Sequence, residues 1–146
     1  MSGLNTIPQG KGWINAINDN FKKFHDQDWQ TNFTMVNGWK LYGNATNGYK
    51  VISYLGTDYL LISLEVVRDT SLTINPQTWV QVCNLPIDIS RFKRYIARFI
   101  YLDNSDKRSA MNVAVDNGRR EVGFSNTSGV QTTATGAKIN LILASV

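Results

Sequence analysis

Two periodicities divide the chain. From Trp13 to about Asp26 the apolar residues Ile14, Ile17, Phe21 and Phe24 recur at a 3-4-3 spacing, which lines one side of a helix. The other positions there are Asn, Asp, Lys and His, apart from Trp13 and Ala16. Asn5-Thr6-Ile7-Pro8 and Gly10-Lys11-Gly12 ahead of it predict an extended entry and a turn. So narrow a stripe on so short a helix has too little apolar area to stand alone in water. It must lie against its own domain, against symmetry mates as the seam of a short coiled coil does, or in a receptacle on another protein. Residues 1–30 are thus expected to be a docking segment with an amphipathic helix, and residues 31–146 a separate head.

After Thr31 the period becomes two. In Asp58 to Arg68 the positions Leu60, Ile62, Leu64 and Val66 are all apolar, the signature of a strand with one face on the core. Its other face, Tyr59, Leu61, Ser63, Glu65 and Val67, is only half polar, which predicts partial cover by a neighbouring subunit or sheet. Further strands are expected near Met35–Tyr42, Tyr49–Leu55, Trp79–Leu85, Arg94–Leu102, Ser109–Val115, Arg120–Ser125 and Lys138–Ser145. Asn37-Gly38, Asn47-Gly48, Asn104-Ser105-Asp106, Asn117-Gly118 and Ser128-Gly129 supply turn signals. Asp116-Asn117-Gly118-Arg119, between two alternating runs, makes the strongest hairpin. Eight short strands and almost no helix among them predict an all-β fold, an antiparallel jelly-roll-like β-sandwich with a short N-terminal α-helix.

Composition agrees with that pattern. A chain of 146 residues can bury one real core. Its 15 Asn and 12 Thr against two Glu suit strands and turns better than a helical bundle. No apolar run approaches the roughly 18 residues of a membrane-spanning helix, and Met1 to Asn5 has neither the basic nor the apolar region of a secretory signal. The single Cys83 permits no intrachain disulfide and, set in a strand pattern, predicts a small buried hydrophobe. Residues 1–90 carry six Lys/Arg and seven Asp/Glu, whereas residues 91–146 carry nine and four, a net of +5. The basic excess (Arg91, Lys93, Arg94, Arg98, Lys107, Arg108, Arg119, Arg120) fits either guarded strand edges and loop tips or a surface for polyanions.

Candidate chemistry points to binding. The single His25 excludes any site needing two histidines and sits far in sequence from any nucleophile a triad would require. Asp103 and Asp106 flank one loop as turn formers do, and with Asn104 they lack the glycine and terminal glutamate of a calcium loop. Glu65 and Glu121 have no identifiable partner for glycosidase chemistry. No cofactor, metal or catalytic residue is expected. Aromatic residues remain, and saccharide recognition uses a flat ring for the apolar face of the sugar and planar polar groups for its hydroxyls. Trp79, Tyr101, Asp103, Asn104, Asp106 and Arg108 are the candidate ligand-binding residues. The competing reading places Trp79 and Tyr101 in the core. Nucleic acid is not expected, since no strand alternates basic and aromatic residues.

Asn37-Gly38-Trp39, Tyr49-Lys50-Val51, the strand Tyr59 to Val67, Leu85-Pro86 and the hairpin with Val113, Val115, Asn117 and Gly118 form a series. It resembles the C-terminal domain of bacteriophage tail-fibre, baseplate and receptor-binding proteins, over roughly residues 31–146. Ile14, Asn18, Asn20 and Phe21 likewise resemble a segment common near the start of phage baseplate components. The sequence departs from the family where Leu85-Pro86 is followed by Ile87-Asp88-Ile89-Ser90-Arg91. The resemblance implies a homotrimeric β-sandwich head at the virion tail tip, held by its N-terminal segment to other tail or baseplate proteins. It also implies binding to host cell-wall polysaccharide, including phosphate-bearing wall polymers, without membrane insertion. Ile14, Ile17, Phe21 and Phe24 would then serve oligomerisation or docking. A purely structural baseplate subunit and a sugar-degrading depolymerase are the alternatives.

Overall fold

The computed structural model describes residues 29–43, 47–103 and 111–146. The expected helix, with Ile14, Ile17, Phe21, Phe24 and His25, lies outside them. The described residues form nine strands: β1 (Thr34–Met35), β2 (Lys40–Leu41), β3 (Gly48–Tyr54), β4 (Thr57–Ile74), β5 (Trp79–Asn84), β6 (Phe92–Asp103), β7 (Met111–Asp116), β8 (Glu121–Asn126) and β9 (Thr132–Ser145). They make two antiparallel sheets, a smaller one ordered β1-β5-β8-β7 and a larger one ordered β2-β4-β9-β6, with β3 also on β4. No helix occurs among the described residues, as the period-two pattern requires.

The alternating strand behaves as its sequence dictates. Leu60, Ile62, Leu64 and Val66 of β4 are at most 2 % exposed. They pack with Ile139, Leu141 and Leu143 of β9, and with Val80, Val82, Val122 and Phe124 from the smaller sheet, in one core. Each such side chain contributes about 1.5–3 kcal/mol by leaving water. Cys83 is fully buried in the same core, and desolvation pushes its thiol up to about 12. The expected hairpin forms between β7 and β8, with Asp116 opposite Glu121. Its left-handed residue is Arg120 (φ 60°) and not Gly118. The Asp116 carboxylate accepts the backbone N–H groups of Gly118 (3.0 Å) and Arg119 (3.1 Å), which holds the turn.

Three elements depart from the expected pattern. The segment Met35–Tyr42 is not one strand: β1 pairs with β5 in the smaller sheet, and β2 with β4 in the larger. Asn37 (φ 53°) and Gly38 (φ 76°) turn the chain between them. That crossing drops Trp39 into the core, edge-on to Phe124 at 6.1 Å, with the Arg68 guanidinium over its ring at 5.3 Å. Between β3 and β4 lies a two-residue turn, Leu55 (φ 48°) and Gly56 (φ 78°), whose two positive φ angles match the hairpin turn that follows strand twist. Finally, β4 runs on to Ile74 past a register shift between Val67 and Leu72, where polar Asp69-Thr70-Ser71 interrupts the alternation.

The basic residues of β6 lie on the edge of the larger sheet. Tyr95 ties that edge to β7, its hydroxyl bonded to the Val115 N–H at 2.9 Å. Arg98 stacks on Tyr95 at 4.5 Å and donates to Asn112 at 3.1 Å. Charged side chains on an exposed edge discourage pairing with another chain. The outer face of the larger sheet brings half-buried Ile52, Tyr59, Leu61 and Ile142 into adjacent rows, with exposed Phe99 (56 %) close by.

Candidate functional site

Trp79 is the first residue of β5, and Val80 beside it points into the core, so the indole lies on the outer face of the smaller sheet. It lies against Gly123 of β8. A Cβ at that position would sit 2.6 Å from Trp79 Cζ2 and closer still to the Val80 carbonyl oxygen. Only glycine lets the ring approach the strand so closely. Ala114 is the residue opposite Gly123 on β7, so the surface beside the indole stays low. The result is an open depression of about 460 Å³ whose lining includes Trp79, Ala114, Asp116, Asn117, Arg119 and Glu121.

The rim is polar and partly fixed. Asp116 is held by the turn amides, and its second oxygen is 4.0 Å from Arg119 Nε. Asn117 is anchored through its amide nitrogen, which donates to the Phe92 carbonyl at 3.0 Å. Among the described residues, no hydrogen bond or ion pair engages the half-buried Glu121 side chain. The tryptophan rings also differ. Lys50 sits 5.0 Å from the centre of Trp29, and Arg68 covers Trp39, but among the described residues no cation lies over Trp79. Trp79 is 38 % exposed. A flat ring beside carboxylate and guanidinium groups suits a polar ligand with one apolar face.

The residues singled out from sequence do not all converge here. Trp79 is in the depression. Tyr101, 53 % exposed on β6, lies on the outer face of the other sheet, opposite Lys138. Neither ring is in the core. Asp103 ends β6 opposite Gly136, while Asn104, Asp106 and Arg108 lie outside the described residues. Asp116, Asn117, Arg119 and Glu121 were not anticipated as site residues. One signal for them existed: an isolated glycine inside a strand pattern, here Gly123, marks a close approach by another group.

Comparison of the chain with protein-family models, with curated proteins and with solved structures finds no match.

Proposed function

We propose that this chain is a non-enzymatic bacteriophage tail-tip protein, in a baseplate or fibre, that binds a host cell-surface saccharide during adsorption. The observation that carries the reading is the Trp79 indole laid on Gly123 in an open depression with a polar rim. The likeness of Asn37-Gly38-Trp39, Leu85-Pro86 and the β7–β8 hairpin to phage receptor-binding heads supports the biological setting. The nested order of strands, β4 beside β9 and β5 beside β8, supports a jelly-roll arrangement of the two sheets. In this reading residues 1–30 form a helical docking segment, the head is a homotrimer, and each copy offers one shallow site. Shallow sites bind weakly one at a time. Presenting several copies to a repetitive polymer strengthens binding by about 10²–10⁴ without new contacts.

A glycan array probed with the assembled protein tests the reading. Binding to particular saccharides, lost on Trp79→Ala, is the expected result, and the absence of any binding would remove the receptor role. A second reading, a structural baseplate subunit with no host ligand, is favoured by the apolar rows on the outer face of the larger sheet. Capture of other tail proteins together with a blank glycan array would select it. Release of fragments from wall polymer would instead indicate a depolymerase, for which Asp116 and Glu121 would be the acids to mutate.

A further inference from the structure

We propose that the saccharide unit taken by the Trp79 depression carries a protonated amine. This rests on the saccharide-binding reading above and adds the charge of the ligand. The chain as a whole is basic, with a formal net charge of +4, and on that ground alone a phosphate-bearing polymer would be the expected partner. The depression has the opposite character. Among the described residues, Asp116 and Glu121 line it against one cation, Arg119. Arg119 is 75 % exposed and only 4.0 Å from Asp116 at its nearest, a loose pair that leaves the carboxylate open to a second cation.

The ring gives the same sign. An aromatic face carries negative charge density and attracts a cation within about 6 Å of its centre. Trp29 and Trp39 already meet that preference with Lys50 and Arg68, whereas the Trp79 face is bare among the described residues. Glu121, half-buried at the rim, has no cation partner among the described residues. An amino sugar satisfies these features together. Its C–H face lies on the indole, its ammonium reaches a carboxylate, and its hydroxyls meet Arg119. A phosphate group on the same unit would face both carboxylates and the negative face of the ring.

The test is an NMR titration of the full chain below neutral pH, following the Trp79 indole N–H resonance, assigned by its loss in Trp79→Phe. The probes are methyl glucosaminide, methyl N-acetylglucosaminide, glucose 6-phosphate and ethylammonium. The glucosaminide is expected to bind about fivefold to tenfold more tightly than the N-acetyl sugar, the scale of one exposed ion pair with cation–π support. That advantage should shrink in Glu121→Gln and at about 0.5 M salt, where charges are screened within a few ångströms. Equal binding of the two glucosaminides, or tighter binding of the phosphate, overturns the amine and leaves the saccharide reading standing. Ethylammonium binding as tightly as the glucosaminide shows that the sugar contributes nothing, and overturns the proposal. If no sugar moves the Trp79 resonance, both this inference and the proposed site fall.

Discussion

Gly123→Ala is the most direct probe of how the depression is built. The new methyl group would meet Trp79 Cζ2 at 2.6 Å and Cε2 at 2.9 Å, and would press still harder on the Val80 carbonyl oxygen of the adjacent strand. The indole can swing outward, but the carbonyl belongs to the backbone of β5, which pairs with β8 along its length. Overpacking against a fixed neighbour costs about 1–3 kcal/mol, and the backbone contact places this site toward the upper part of that range. For a domain of this size about 2–3 kcal/mol lowers Tm by roughly 7–10 °C. Thermal unfolding followed by circular dichroism measures it. A double-mutant cycle with Trp79→Ala separates the two contacts. Removing the ring should recover about 1 kcal/mol of the loss, because the carbonyl clash remains when the ring clash is gone. Additive effects of the two substitutions would mean that the indole does not lie on Gly123, and an unchanged Tm in Gly123→Ala would refute the packing altogether.

Other consequences follow from residues elsewhere in the fold. Leu55 is 86 % exposed at φ 48°, so Leu55→Asn loses no burial and gains a residue suited to the left-handed region. It should raise stability by about 1 kcal/mol in chemical denaturation, whereas Leu55→Val should lower it. Asn126 is fully buried, donates to the carbonyls of Ile74 (3.2 Å) and Val130 (2.7 Å), and accepts from Ser128. Asn126→Leu removes these bonds from a buried side chain, leaving the Ser128 hydroxyl on the Val130 carbonyl, and should cost about 2–4 kcal/mol in the same assay. Burial raises the Cys83 pKa to about 12, so the thiol ionises in the unfolded chain before it does in the folded one. Its contribution is constant below the unfolded value of about 8.5, and stability then falls by up to about 1.4 kcal/mol per pH unit as pH rises toward 12. Cys83→Ala should show a shallower decline than the native chain above that value, and equal slopes would refute the assignment.

Much of the fold was legible because its cause is local. Two-residue alternation places Leu60, Ile62, Leu64 and Val66 on one face whatever the rest of the chain does, and the structure buries all four. The hairpin at Asp116 to Arg119 and the burial of Cys83 follow from equally short-range patterns. Where two local signals competed, tertiary packing chose between them. Asn37-Gly38 lay inside an apolar run, and the turn prevailed because Trp39 reaches the core only if the chain crosses from one sheet to the other. The turn at Leu55-Gly56 was hidden because leucine is a poor turn residue; strand pairing of β3 with β4 imposes the left-handed geometry on it.

The site shows the same division more sharply. Sequence alone identified Trp79 as a residue with chemistry to offer, since an indole facing polar neighbours is useful wherever it lies. It also settled that the body is built of strands and that charge gathers in the second half of the chain. Which groups surround the ring was decided by register. β8 brings Gly123 and Glu121 alongside Trp79, and β7 adds Ala114 and Asp116 across from them, so residues some 35 to 44 positions distant in sequence share one surface. Strand pairing depends on contacts between remote segments, and no local pattern encodes which of them will meet.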